Sequence, residues 1–308
     1  FIGAWNCDIR FARLSRRRRN HYNDGMKLAF SSNAFRGRSI EETVGILADL
    51  GYRGIELMAD RPHAWPEDMT PARLESIRTA LGKHHMEVSN VNAFMMCAYK
   101  DPKSGRSGTF HWPSWIDRDA DTREARIRHT IAAVDVAAAV GAKTLSTEPG
   151  GPVEGRTREE CYRLFAEGLK RAVDRGAEKG VKVCVEPEPT LLIEKGHEYD
   201  EFVTKYVKYP GVGLNFDMGH FYCVGEDPAG LIRGVGRTAS HFHLEDIAAD
   251  RVHFHLPPGQ GAMDYPSIFA ALKEIRYDGW VTIELYPYQE DSIQVAKKAR
   301  EFIQPLLG

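Results

Sequence analysis

The sequence has 308 residues, 43% of them hydrophobic and 27% charged, which is typical of a globular protein with a large buried core. Its net charge of −2 gives no reason to expect nucleic acid or an anionic membrane as a partner, and no apolar run approaches the ~20 residues needed to cross a bilayer. Five cysteines without paired spacing favour a reducing compartment, so the cytoplasm is the expected location.

The first 25 residues differ from the rest of the chain. They contain four consecutive arginines, Arg16 to Arg19, and show no hydrophobic periodicity. These arginines do not precede an apolar signal-peptide core. We expect residues 1–25 to be a basic, disordered tail, or upstream sequence translated ahead of Met26. A nucleic-acid-binding arm is the less favoured interpretation.

From Met26 onward, short apolar runs alternate with amphipathic helical stretches. The spacing of Ser39 and Glu42 predicts a capping box that opens a helix ending at Gly51. Thr122 is expected near the start of a later helix, after a segment of residues 95–120 rich in Gly, Pro and Trp. Loops of that length are usually functional or disordered. The strand candidates in chain order are KLAFSS, GIELM, EVSNVNAF, KTLST, VKVCVE, VGLNFD, SHFHL and WVTIEL.

Eight apolar runs followed by helical sequence predict the fold. Continuous rather than alternating apolar residues are typical of parallel strands covered on both faces. We therefore expect an α/β protein in which residues 26–308 form a single (β/α)8 TIM barrel, with an open doubly wound sheet as the alternative. The first strand is followed by SSNAFRGRS, without the glycine pattern of a dinucleotide site.

Polar side chains follow or end the last four predicted strands, where the active site of such a barrel lies. Taken singly, each carboxylate suits a helix N-cap or a salt bridge, and the histidine suits a hydrogen-bonded core position. Together they would face one point, and three converging carboxylates repel unless a cation compensates them. This donor set suits Mn, Mg, Co or Zn. The four residues are Glu186, Asp217, His243 and Glu284.

The placement of these residues, with His220 in the motif FDMGH, resembles the xylose isomerase-like TIM barrels. That family includes sugar isomerases, ketose 3-epimerases and inosose dehydratases. The resemblance implies that the four residues hold one divalent ion. It also implies that Glu186 and Glu284 exchange protons on opposite faces of the substrate, while His220 contacts the substrate.

The expected chemistry is proton transfer next to a carbonyl group. A Lewis acid holds the carbonyl oxygen and stabilises the enediolate, and a carboxylate takes the proton. Return of the proton on the other face gives an epimer, return to the neighbouring carbon gives an isomer, and loss of a β-hydroxyl gives a dehydrated product. We predict a sugar isomerase or epimerase using one divalent ion, with Mn preferred, and a keto-sugar dehydratase as the alternative. The expected partner is a small carbohydrate, and homo-oligomer formation is left open.

The loop after strand seven departs from the ketose 3-epimerase pattern. Its stretch PPGQGAMDY is similar to a PGxGxxDF/Y segment of the superfamily, but Arg251 is not at the spacing of the arginine in that branch. His253-x-His255 is instead similar to the Asp-x-His of endonuclease IV relatives, which binds a further zinc there. That branch also needs histidines after strands two and three. This chain has His63 after strand two, but Asn90 and Asn92 around strand three.

Two alternatives are therefore less favoured: a zinc phosphodiesterase and a non-catalytic sugar-binding barrel. His255 is expected to contact substrate, although a second metal site or a satisfied loop pair would also explain it. Glu148 and His63 are further candidate substrate contacts, and Glu148 would equally suit a helix cap. The 95–120 segment is a candidate lid.

Overall fold

The computed structural model describes residues 25–307 and contains a closed barrel of eight parallel strands in chain order, which confirms the predicted TIM barrel. The expected N-terminal tail, apart from Gly25, lies outside the described residues. β1 pairs with both β2 and β8, so Phe30 lies between Ile55 and Ile283 and the sheet has no free edge. The strands are β1 (Lys27–Ser31), β2 (Gly54–Met58), β3 (Glu87–Asn92), β4 (Thr144–Thr147), β5 (Lys182–Val185), β6 (Gly213–Asp217), β7 (Ala239–Leu244) and β8 (Trp280–Ile283).

Helices connect the strands and cover the outside of the barrel. The predicted capping box is present, with Ser39 and Glu42 each accepting a hydrogen bond from the other's backbone N–H. α3 begins two residues before the predicted Thr122, because the Asp119 side chain caps it. The helices are α1 (Ile40–Asp49), α2 (Pro71–His84), α3 (Ala120–Val140), α4 (Arg158–Lys179), α5 (Gly196–Glu201), α6 (Met218–Cys223), α7 (Pro228–Arg233), α8 (Tyr265–Glu274) and α9 (Ser292–Leu307).

The interior of the barrel is polar on several strands. Successive side chains on a strand point to opposite faces, so one set packs against the helices and the other faces the barrel axis. Glu56 of β2 contacts His243 of β7, although these strands are not neighbours, so both side chains lie inside the barrel. Their strand neighbours Leu57 and Phe242 are buried in the hydrophobic core.

The predicted loop between β3 and α3 contains no regular strand or α-helix. Two isolated antiparallel bridges, Lys100 with Ser107 and Thr109 with Trp112, shape it. Its start is held by Asp60, whose carboxylate accepts hydrogen bonds from three consecutive backbone N–H groups at residues 96–98. None of the helices in residues 25–307 is both long and apolar enough for a membrane span.

Candidate functional site

Four buried side chains meet at the C-terminal rim of the barrel. Asp217 is the last residue of β6 and His243 lies in β7, while Glu186 and Glu284 directly follow β5 and β8. Each offers one potential metal-ligand atom, and these atoms all lie within 4.8 Å of one another. The structure thus brings together all four residues that the sequence singled out at the strand ends.

His243 is the centre of this cluster. Its Nδ1 lies 2.7 Å from Oε1 of Glu186, 3.7 Å from Oε2 of Glu284 and 3.8 Å from Oδ2 of Asp217. Burial disfavours a charged imidazole here, but the carboxylates of Glu186, Glu56 and Glu284 outweigh it and raise the pKa of His243 well above its usual value. The cluster therefore attracts positive charge.

The carboxylates of the cluster have contrasting environments. Burial raises the pKa of Glu284 well above its usual value, and repulsion from Glu186 adds to the effect against the opposing attraction of His243. Burial also disfavours ionised Asp217, but the nearby His220 and His255 outweigh it and lower its pKa.

Asp217 has a structural role in addition to its place in the cluster. Its Oδ1 accepts the backbone N–H of His220 and thereby caps α6. Its Oδ2 has no hydrogen-bond partner among the described residues. The glycine of the FDMGH motif is required by close packing, since a Cβ at Gly219 would lie 1.7 Å from Oε1 of Glu245. The motif thus places Asp217 at the rim while α6 packs directly on β7.

Three histidines form a second group beside the cluster. His220 Nδ1 lies 3.0 Å from the carbonyl oxygen of Pro187, and His255 Nδ1 lies 2.9 Å from the carbonyl oxygen of Glu284. Since a carbonyl only accepts, each Nδ1 carries the hydrogen, and in a neutral ring Nε2 is then an acceptor. His253 Nε2 lies 3.2 Å from His255 Nε2. Burial lowers the pKa of His253 to about 2 and that of His255 to about 4.

A narrow cavity opens onto the cluster, with about 10 Å³ of accessible space, room for about one water molecule. Two of its acidic residues lie outside the four-residue cluster. Glu148 pairs with the buried Arg126 at 3.1 Å, while Oε1 of Glu188 has no hydrogen-bond partner among the described residues. Burial raises the pKa of both Glu148 and Glu188. The lining residues are Asn92, Phe94, Phe110, Glu148, Glu186, Glu188, His220, His255, Glu284 and Tyr286.

The candidate substrate contacts do not all reach this cavity. Glu148, His220 and His255 line it, whereas His63 does not. The His63 ring is buried beside the loop after β1, with Nε2 3.2 Å from the carbonyl oxygen of Arg38. In the candidate lid segment, Phe110 lines the cavity, while Trp112 lines a larger cleft away from the cluster.

Two buried glutamates near the cluster were not singled out from the sequence. Glu56 is fully buried in β2 and contacts His243, and attraction to that histidine outweighs burial and lowers the pKa of Glu56 to about 2. Glu245 is fully buried beside Asp217, and burial with repulsion from that carboxylate raises its pKa. The charged residue inside GIELM was the available signal for Glu56. A glutamate beside an aspartate in HLED is too common to have indicated Glu245.

Comparisons with known proteins agree with this architecture. A family model described as "Xylose isomerase-like TIM barrel" matches residues 44–306. An inosose dehydratase of Clostridium beijerinckii is 28% identical over 168 residues, covering 49% of this chain and 56% of that protein. The structure of a D-tagatose 3-epimerase-like protein superposes with a TM-score of 0.75 at 20% identity, covering 92% of this chain and 97% of the other. The IOLI protein with a binding zinc atom superposes with a TM-score of 0.73 at 21% identity, covering 91% and 99%.

Proposed function

Because this chain belongs to the xylose isomerase-like TIM barrel family, we propose that it is a divalent-metal-dependent isomerase or epimerase of a keto-sugar or sugar derivative. The observation that carries this proposal is the convergence of three carboxylates and one imidazole, all buried, at the catalytic end of the barrel. Buried carboxylates are costly unless charge compensates them, and the three carboxylates of this cluster exceed the one positive charge that His243 can carry, so the arrangement is expected to serve a bound cation.

The donor set fits a divalent cation of intermediate hardness. Glu186, Asp217, His243 and Glu284 would hold it, and the unpartnered Oδ2 of Asp217 is free to do so. Carboxylate-rich sites suit Mn or Mg, and one imidazole also allows Co or Zn; we expect Mn to be preferred. When bound, such a cation polarises a carbonyl group and stabilises the negative charge that develops as the adjacent carbon loses a proton.

Glu186 and Glu284 are the proposed acid and base. They follow β5 and β8, so they reach the cavity from separate positions around the rim. One glutamate removes the proton on one face of the substrate, and the other delivers a proton to the opposite face. The roles reverse for the reverse reaction. Asn33 and Asn92 both donate to Oε1 of Glu284, at 2.8 and 3.4 Å, and hold that carboxylate in place.

The remaining lining residues are suited to bind hydroxyl groups. Nε2 of His220 would accept a hydrogen bond from substrate, because the Pro187 carbonyl fixes its hydrogen on Nδ1. His255 lines the same cavity, with its Nε2 facing that of His253. Glu148 and Glu188 add further hydrogen-bonding oxygens at the same cavity. Phe110 and Tyr286 offer apolar faces against which the C–H side of a sugar packs. The chemistry of this lining therefore suits a small polyhydroxy ketone, for which the cavity must widen beyond the space of one water molecule.

Dehydration of a keto-sugar on the same site is the second candidate. It is favoured by one specific observation, the similarity to an inosose dehydratase. That protein is only 28% identical, and the match covers 56% of its length. A phosphodiesterase has less support, because no Arg or Lys of residues 25–307 lines the cavity and no histidine replaces Asn90 or Asn92.

Solvent exchange distinguishes these activities. In D₂O, an epimerase incorporates deuterium at the carbon next to the carbonyl and releases no water, while a dehydratase forms a conjugated product that absorbs in the ultraviolet. The Glu284→Gln variant is expected to lose exchange, with Glu87→Gln on the outside of the barrel as the matched control. Full exchange by Glu284→Gln would disprove the two-glutamate mechanism.

A further inference from the structure

Glu56 is a buried charged residue that the proposed acid–base chemistry does not use. It stands in the middle of β2, between Ile55 and Leu57, and its side chain is fully buried inside the barrel. A carboxylate at such a position is costly unless specific partners compensate it. The residues that it contacts therefore indicate its role.

Oε2 of Glu56 lies 2.6 Å from Nε2 of His243, while the nearest nitrogen of His241 is 3.8 Å away. Asn90 donates from Nδ2 to the same oxygen at 2.8 Å and also contacts Oγ of Ser146 at 2.9 Å. Side chains from β3 and β4 thus fix the carboxylate that contacts β7. Glu56 contacts His243 on the side of the ring opposite to the cluster of carboxylates.

This contact determines which nitrogen of His243 faces the cluster. An ionised carboxylate only accepts hydrogen bonds, so at 2.6 Å Nε2 of His243 carries a hydrogen. Nδ1, which points towards Glu186, Asp217 and Glu284, lies 2.7 Å from Oε1 of Glu186 and carries a hydrogen towards that carboxylate while no cation is bound. A cation bound among the carboxylates would replace this hydrogen and take the Nδ1 lone pair, while the hydrogen on Nε2 stays with Glu56. A histidine that binds a metal commonly donates its other N–H to a carboxylate, which fixes the tautomer and the ring orientation.

We propose that Glu56 is a positioning residue that holds His243 with hydrogen on Nε2, so that Nδ1 is the nitrogen that binds the divalent cation. This inference rests on the proposed function, because the cation site is itself proposed. A purely structural role is the alternative, but a buried ion pair is weak evidence for stability. A positioning role predicts weaker metal affinity in a folded Glu56 variant, whereas a purely structural role predicts unchanged affinity.

The test compares Zn²⁺ and Mn²⁺ affinity of the full chain and its Glu56→Gln variant by competition with a chelator. Glu56→Gln is expected to bind roughly 10- to 100-fold more weakly. Glu87→Gln is the matched control on the neighbouring strand, since its carboxylate contacts Lys27 and lies away from the cavity. Glu56→Asp retains a carboxylate at the position and is expected to recover part of the affinity. Circular dichroism and thermal unfolding show whether each variant is folded.

A second readout reports the tautomer itself. With ¹¹³Cd²⁺ bound to ¹⁵N-histidine-labelled protein, scalar coupling to Nδ1 of His243 and a slowly exchanging Nε2–H are expected in the wild type. In Glu56→Gln that N–H should exchange faster. Should Glu56→Gln not fold, Glu56→Asp decides: faster exchange of the Nε2–H with reduced affinity supports the proposal, and faster exchange with wild-type affinity overturns it.

Different results would overturn the role of Glu56 and the metal-dependent function. Wild-type affinity and an unchanged Nε2–H signal in folded Glu56→Gln would overturn the role of Glu56 and leave the metal-dependent function intact. Coupling of ¹¹³Cd to Nε2 would do the same. A wild-type protein that binds none of these cations would overturn the function, and the role of Glu56 with it.

Discussion

Asn33 donates a hydrogen bond from Nδ2 to Oε1 of Glu284 at 2.8 Å, so the turn after β1 holds the carboxylate that follows β8. Asn92, the last residue of β3, lies 3.4 Å from the same oxygen. The other oxygen of Glu284, Oε2, is the one that lies 3.7 Å from Nδ1 of His243. The two asparagines therefore orient Glu284 with one oxygen towards the amides and the other towards the cluster.

Replacing Asn33 with leucine is expected to reduce turnover. The variant keeps the approximate volume but removes a hydrogen bond to a carboxylate, which contributes about 1.5–3 kcal/mol, or roughly 10- to 100-fold in kcat. Steady-state kinetics measure the loss, on a substrate identified by deuterium exchange in D₂O. Asn92→Leu should lose less because its hydrogen bond is longer. The opposite order would show that Asn33 does not hold the catalytic orientation of Glu284.

The fold was predictable because each barrel strand is a local pattern. Eight continuous apolar runs bounded by caps and glycines identified the strands, and the strand-end rule placed Glu186 and Glu284 at one rim. Their assignment as ligands and as the acid–base pair stays a prediction.

The contacts around those residues were not predictable in the same way. Glu56 lies 187 positions from His243, and the two meet only because the barrel closes. Nothing in the local sequence indicates such a contact. His63 shows the converse, since it follows a strand as a site residue would, yet its ring turns to the Arg38 carbonyl.

The group of three histidines beside the cluster, His220, His253 and His255, bears on how many metal ions bind. We expect one ion per chain by elemental mass spectrometry, since the three carboxylates of the cluster need a cation and the three histidines do not. His253 and His255 satisfy each other through their Nε2 atoms at 3.2 Å. Asp217→Asn is expected to lose the ion, and His253→Gln to retain it. Two ions in the wild type and one in His253→Gln would instead assign a metal to the histidine group.

Phe110 is expected to contribute to substrate affinity. Its ring lies 6.1 Å from that of Tyr286 and 4.5 Å from that of His111, and it lines the cavity from the segment between β3 and α3. Phe110→Ala removes an aromatic face, and a loss of about 1.4 kcal/mol would raise KM roughly tenfold with a smaller change in kcat. Phe302→Ala, on α9 away from the cavity, is the control. A KM unchanged from wild type would show that substrate does not contact this segment.

Stability in acid is expected to depend on His129 of α3. Its ring is buried and stacks on Trp65 with centroids 4.8 Å apart. Burial and the nearby charge of Arg126 lower the pKa of His129 to about 3. The unfolded chain has the ordinary histidine pKa of about 6.5. Between these values the unfolded state binds a proton that the folded state does not, so stability falls as the pH drops below about 6.5 and levels off above it.

His129→Phe keeps an aromatic ring against Trp65 but removes this titration. Between pH 7 and pH 5 the wild type is expected to lose about 2 kcal/mol of unfolding free energy through His129 alone, and the variant should lose that much less. Urea denaturation at the two pH values measures the difference. His197→Phe, at an exposed position of α5, should follow the wild type. Parallel losses in His129→Phe and the wild type would mean that this histidine is protonated in the folded protein, and that its burial does not limit stability in acid.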